Sequence, residues 1–223
     1  MRFFLADTET TGVGADDEVC EVAWAQIDED FNILAQGASL INPGKPIHYA
    51  ASAVNGITDA MVADAPSLEE YMASVGHPLF GDDVVFCAHN AAFDFRFLRE
   101  LMHGDTRILC TLKVARRLYP DAANHKQGTL AAMLGIEVAR EKAHSADGDI
   151  DVLLKLVKQM CADAGCGLSD LLHIQSIPLI PTKIPFGKHK GTKLTDLPKS
   201  YVSWLLEKAT NLDPDLRTAL SAL

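Results

Sequence analysis

The sequence predicts a mixed α/β protein, a β-sheet flanked by helices, followed by a small C-terminal appendage. Three features carry the prediction: strand-like stretches open the chain in succession, short apolar strands then alternate with helical patterns, and prolines interrupt the pattern near residue 180. In order, residues 3–6 of "FFLADTETTG" (3–12) are a buried strand. "EVCEVAWAQID" (18–28) and "NILAQGASLIN" (32–42) are two more, joined by a turn at "EDFN". Links this short make the three strands antiparallel. "SLEEYMASVGHPLF" (67–80) has helical spacing, with Ser67 as N-cap and Glu70 three residues later. "DVVFCAH" (83–89) is a strand, "AAFDFRFLRELM" (91–102) a helix, "RILCT" (107–111) a strand, and "LKVARRLY" (112–119) a helix stopped by Pro120. "GTLAAMLG" (128–135) is a short helix, and "ADGDIDVLLKLVKQMCADAG" (146–165) is the longest one, closed by Gly165. Pro178, Pro181 and Pro185 mark a linker over 176–186, which divides a main domain, 1–175, from a small basic module, 187–223, holding two short helices. If the turn at 188–191 is a structural one, Tyr201, Trp204 and Leu205 are the core of the packing unit that follows it.

Composition narrows the function classes. The chain has 223 residues, 48% hydrophobic and 22% charged, which is ordinary for a globular protein. No apolar run reaches the roughly 20 residues needed to span a bilayer, and no export signal opens the chain, so a cytoplasmic protein without a membrane partner is expected. Five cysteines, Cys20, Cys87, Cys110, Cys161 and Cys166, include no CxxC pair and read as core residues in a reducing compartment. The net charge of −10 argues against a simple electrostatic DNA coater. Its distribution says more. Residues 176–223 hold seven Lys/Arg and four Asp/Glu, a net +3, so the preceding residues carry −13. An acidic body with a basic tail points the tail toward polyanions.

The acid pair in "FFLADTETTG" raises the chemical question. Residues i and i+2 of a strand face one side, so Asp7 and Glu9 point together. Crowded carboxylates repel, and a hard divalent cation with oxygen ligands removes that penalty. Two other stretches add acids. "HNAAFDFRFL" (89–98) puts Asp94 in the first turn of a helix directly after a strand, and "HSADGDID" (144–151) places His144 in a loop with Asp149 five residues on, at the start of the long helix.

The ordered set D-x-E-T-T-G, H-N-x-x-F-D-x-x-F-L and H-x-x-x-x-D resembles the three motifs of the DEDDh 3′→5′ exonucleases, which share the ribonuclease-H-like fold. "AASAVNGIT" (50–58) is similar to the family's A-x-x-V-H-G-I-T segment, with Asn55 where His is common. The tail stretch "PFGKHKGTKLTDLPKSYVSWLLE" resembles the C-terminal module of exonuclease X-type members, so the resemblance covers nearly the whole chain. It implies a two-metal hydrolysis with two Mg²⁺ ions, or Mn²⁺ as substitute, roughly 3.5–4 Å apart. By that resemblance Asp7 bridges both ions, Glu9 and Asp149 support one, Asp94 holds the other, and His144 is the general base. The implied partner is nucleic acid, DNA 3′ ends first, in repair or end processing. Thr8, Thr10, Thr11 and Gly12, read as a turn after the acids, could hold the terminal sugar or simply shape the turn. Val13 and Val54 could wall the terminal base or be core; His89 and Asn90 could contact the strand or cap the helix at 91; Phe93 reads as core-facing with a lesser chance of base contact. Arg96, Arg99, Arg116 and Arg117 are candidates for steering phosphate, or a solvated helix face. Lys188 and Lys190, in the turn "KHKG", could hold phosphate or form a structural turn.

Other readings compete. RNA 3′-end trimming would use the same acids, since no motif excludes a 2′-hydroxyl. A haloacid-dehalogenase-like phosphatase also opens with acids after a strand, but expects D-x-D-x-T where this chain has Glu9. A non-catalytic nucleic-acid-binding module would be expected to have lost at least one acid or His144, and none is lost. A Walker phosphate loop fails at Gly187 and Gly191, which lack the Gly-Lys-Ser/Thr ending. Sequence leaves the oligomeric state open, a homo-oligomer included.

Overall fold

The structure, a computed structural model, describes residues 1–76, 83–102, 104–137, 146–179, 181–209 and 212–223. It divides into two compact units, Met1–Gln175 and Ser176–Leu223. No helix among the described residues is long and apolar enough to cross a membrane.

The first unit is built on a mixed five-stranded sheet. Its strands are β1 (Arg2–Thr10), β2 (Val19–Asp28), β3 (Ile33–Leu40), β4 (Val84–Ala88) and β5 (Arg107–Cys110), in the order β3-β2-β1-β4-β5. The first three pair antiparallel, as their short links require, whereas β1–β4 and β4–β5 are parallel, with helices in the crossovers. The helices are α1 (Tyr49–Asn55), α2 (Asp59–Val62), α3 (Leu68–Val75), α4 (Ala92–Leu98), α5 (Thr111–Leu118), α6 (Gln127–Met133), α7 (Ala146–Ala164) and α8 (Leu171–Ile174). Of these, α1, α2 and α8 run four to seven residues, too short to show a helical period in sequence. The capping box of α3 forms as expected: Ser67 Oγ accepts from Glu70 N at 3.2 Å, and Glu70 Oε2 accepts from Ser67 N at 2.9 Å. That helix ends at Val75, short of the expected 80, and residues 77–80 lie outside the described ones.

The period of two along β1 decides where everything else packs. Phe3 and Leu5 face one apolar layer, closed by Val114 of α5, Leu130 of α6, and Leu153, Leu156 and Met160 of α7. Phe4 and Ala6 face the other, closed by Met72 of α3, Leu98 of α4, and Trp24 and Phe86 of the sheet. Covered on both faces, β4 is buried throughout, which is why "VVFCA" is a continuous apolar run. Four of the five cysteines are buried, and all five are free thiols.

The second unit closes around Ile184, Leu194, Leu197, Leu205, Leu216 and Leu220. Its helices are α9 (Lys199–Lys208) and α10 (Pro214–Ser221), the latter capped by Asp213, whose carboxylate accepts from Asp215 N at 3.0 Å and Leu216 N at 3.1 Å. Two features differ from expectation. Ile184, inside the stretch read as linker, is fully buried, and its N–H donates to Thr192 O at 2.9 Å, so part of 176–186 folds with this unit. Trp204, read as core, is 54% exposed; Leu205 alone of the expected trio is fully enclosed, while Tyr201 is half-buried.

Candidate active site

β1 runs four residues past the apolar stretch that marks it in sequence, because threonines continue the strand: Thr8 pairs with Val22, and pairing breaks register only between Glu9 and Thr10. Thr8 and Thr10 therefore lie in the strand and not in a turn; the turn begins at Thr11. Odd residues continue the Phe3–Leu5 side, so Asp7 and Glu9 emerge on the face covered by α7. Asp149, on the first turns of α7, meets them there. One ligand oxygen from each of Asp7, Glu9 and Asp149 lies within 4.8 Å of the others.

Even residues face the opposite layer, and Thr8 reaches α4. Asp94 is buried, and its Oδ1 accepts from Thr8 N at 3.0 Å and from Thr8 Oγ1 at 2.8 Å. One strand thus supplies two acids to one side and clasps a third from the other. The site sits where β1 and β4 end, the edge at which parallel strands deliver ligand-binding side chains.

The electrostatics are those of a crowded anion site. Burial holds the Asp7 carboxyl well above the usual range, and Asp94, Asp149, Glu9 and Glu21 push it in the same direction. Burial, with Asp149 and Glu21, lifts Glu9 from 4.5 to about 7, against a side-chain hydrogen bond from Asn55 that favours its charged form. Burial raises Asp94 to about 6, against the bonds from Thr8. All-oxygen donors at this spacing suit a hard divalent cation, whose charge would relieve the repulsion. His144 lies outside the described residues.

Beside the acids runs a groove of about 450 Å³, lined among others by Thr8, Glu9, Thr10, Gly12, Val13, His48, Val54, Asn55 and Phe93. Val13 and Val54 are 82% and 75% exposed, so neither is core. Phe93, expected to face the core, instead lines the groove; its ring meets Phe97 edge-on at 5.5 Å, and the Arg96 guanidinium lies 4.7 Å above it. Arg96 also donates to Val13 O at 3.3 Å, which ties the loop after β1 to α4 and occupies an arginine read as a phosphate contact. Arg117 donates to Lys113 O within its own helix. Gly12 is required by crowding: a Cβ there would lie 2.5 Å from Asp17 Oδ2, and Asp17 is fixed by Thr11 Oγ1 at 2.8 Å and Gly14 N at 2.7 Å.

Three expected contacts have other work. The Thr11 hydroxyl donates to Asp17, and Thr10 Oγ1 donates to Gly12 O at 2.6 Å, so both shape the loop. His89 neither caps α4 nor lines the groove. Its Nε2–H donates to His125 O at 2.7 Å and its Nδ1 pairs with Thr111 Oγ1 at 2.9 Å, a neutral clamp whose burial keeps its pKa low. Asn90 is exposed, with φ +71°, and turns the chain into α4; no side chain caps that helix. Sequence reading missed Glu21 and His48. Glu21 stands directly opposite Glu9 on β2, a like-charge pair that counting back from the "EDFN" turn would have exposed. His48 caps α1, its Nδ1 accepting from Ala50 N at 3.2 Å, and no motif marks it.

The profile of a family described as Exonuclease matches residues 4–157. The chain belongs to the exonuclease family. Exodeoxyribonuclease 10 of Escherichia coli is 30% identical to this exonuclease over 222 residues, 97% of this chain and 96% of that one. A DNA polymerase III subunit epsilon-like protein of Rhodobacter capsulatus is 38% identical over 159 residues, 67% of this chain but only 22% of that protein's length. Among solved structures, exonuclease X in complex with 5′ overhanging duplex DNA superposes with a TM-score of 0.60 at 26% identity, covering 78% of this exonuclease and 99% of that chain. The five-stranded mixed sheet is accordingly the ribonuclease-H-like sheet of this family. A profile of proposed quorum-sensing-regulated virulence factors matches residues 173–211.

Proposed function

We propose that this exonuclease removes nucleotides from the 3′ end of DNA as nucleoside 5′-monophosphates, with two divalent cations, Mg²⁺ or Mn²⁺, in the acidic cluster. The observation that carries the reading is the approach of Asp7, Glu9 and Asp149 to within 4.8 Å, with Glu9 lifted to about 7. Acids held this close are costly unless a cation is their normal partner. Similarity to exodeoxyribonuclease 10 along almost the whole chain supports DNA over RNA as substrate, and removal of 3′-terminal nucleotides suits repair or end processing.

Asp7, Glu9 and Asp149 would hold cations on the α7 side and Asp94 on the α4 side, its carboxylate oriented by Thr8. Bound divalent cations supply Lewis acidity for water and phosphate and stabilise the departing 3′-oxygen. His144 would take the proton of the attacking water, a general-base role that an imidazole side chain can fill. Val13, Val54 and Phe93 form the apolar wall against which the terminal base rests, and the Thr10–Gly12 backbone faces its sugar.

A 5′-labelled DNA strand should shorten stepwise with Mg²⁺ and remain intact with a chelator; a matched RNA strand should be cut more slowly. Activity that survives the chelator ends the metal reading, and preference for RNA ends the DNA one. His144→Ala should keep substrate affinity while turnover drops by about 10²-fold or more. Near-normal turnover in that variant would assign the base elsewhere.

A further inference from the structure

We propose that the second unit carries its own binding site for single-stranded nucleic acid, built on the Tyr201–Trp204 aromatic stack and the lysines of the turn packed against it. Tyr201 and Trp204 lie one turn apart on α9 with ring centroids 6.0 Å apart and planes within 15°. The hydrophobic cluster of this unit closes without Trp204, which is 54% exposed. A large flat side chain held parallel to a neighbour and facing solvent offers one open π-face. The 3₁₀ turn Gly187–His189 presses on the other member of the stack. His189 sits 4.5 Å from the Tyr201 ring and Lys188 Nζ 5.6 Å above it, and a Cβ at Gly187 would lie 2.9 Å from the Tyr201 hydroxyl.

Charge selects the occupant. Between residues 183 and 204 the chain has five lysines and a single acid, Asp196. Lys188 and Lys190 are exposed, and neither has a carboxylate partner among the described residues. Lysines attract any polyanion, but an open indole face beside them selects one with flat rings between its charges. A duplex already stacks its own bases, so an unpaired strand fits. Point charges and π-faces read no base edges, so the site is sequence-tolerant. Its ligand class extends the substrate proposed for the first unit, and the test below separates the two readings.

The two tryptophans supply the probe. Trp24 is 3% exposed in the first unit and Trp204 is 54% exposed in the second, so the solvent-quenchable emission belongs to Trp204. Full-length protein is titrated with an oligothymidylate of about 20 nucleotides, longer than the 4–16 such sites cover, under a chelator that preserves the strand. Binding should quench the exposed component. Trp204→Leu should abolish the quench and weaken binding about ten-fold. Lys188→Gln should keep the quench and reduce the slope of log affinity against log salt by about 0.7. Absence of quenching, unchanged affinity in Trp204→Leu, an equal quench by polyglutamate, or self-association that Trp204→Leu removes would each overturn the proposal. Degradation of the strand with Mg²⁺ but no quench leaves the exonuclease reading standing and removes this one; a quench with no degradation does the reverse.

Discussion

At Asp7, four other carboxylates crowd one side chain that is already desolvated, and burial is the largest cause of its raised pKa. The residue opposes folding and serves the proposed reaction by the same property. Asp7→Asn removes a repelled charge, so in chelator its melting temperature should rise by about 2–4 °C per kcal/mol of relief. Its hydrolysis rate should fall at least about a thousand-fold, because several kcal/mol of cation-mediated stabilisation go with the carboxylate. Calorimetry and single-turnover cleavage measure the two effects; a variant that loses stability and keeps rate contradicts both. Thr8 supplies a second residue-scale case. Its two hydrogen bonds act against burial on Asp94, whose pKa is about 6. Thr8→Val deletes the hydroxyl bond and keeps the shape, so the Asp94 pKa should rise further and the acid limb of the pH–rate profile should move to higher pH. An unmoved limb would mean that Asp94 does not limit the reaction at low pH.

The loop after β1 shows how an element depends on one missing side chain. Asp17 cannot yield to a Cβ at position 12 without giving up its bonds to Thr11 and Gly14. Gly12→Ala should shift the loop, and Val13 with it, raising KM for DNA about ten-fold with a smaller change in melting temperature; an unaltered KM would detach this loop from the substrate. Elements differ in how legible they are. The strands and α7 announce themselves by period and length, and the ordered acid motifs point to a single pocket. Threonines hid the last four residues of β1, because a count of apolar residues stops at Ala6. The roles of His89 and Phe93 were equally hidden. Both lie on one short segment; the distant partners Thr111 and His125 decide which way the His89 ring points, and Phe93 follows from how α4 is turned against the sheet. Trp204 was misread because a Tyr–Trp–Leu cluster resembles a core whether or not a helix turns it outward.

For the whole molecule, the acids couple stability to pH and metal. A carboxyl whose pKa is higher in the fold than in the unfolded chain binds extra protons when folded, so its contribution is complete below the unfolded value and is lost as pH rises through the folded one. For Glu9 that window runs from 4.5 to about 7, and for Asp94 from 3.8 to about 6. His89, kept neutral, acts in the opposite sense below 6.5. The difference made by a cation isolates the site: Mg²⁺ should raise the melting temperature more at pH 8 than at pH 5, where the cluster is protonated and protons compete with the metal. Equal increments at both pH values would mean that Mg²⁺ binds elsewhere. The apolar layers give the same site a mechanical weakness. Asp149 is carried by α7, which packs on one layer, and Asp94 by α4, which packs on the other, while β1, the bearer of Asp7 and Glu9, packs on both. Heat that softens either layer should therefore spread the carboxylates before the sheet itself comes apart, with cleavage lost at a lower temperature than the far-UV signal of the sheet.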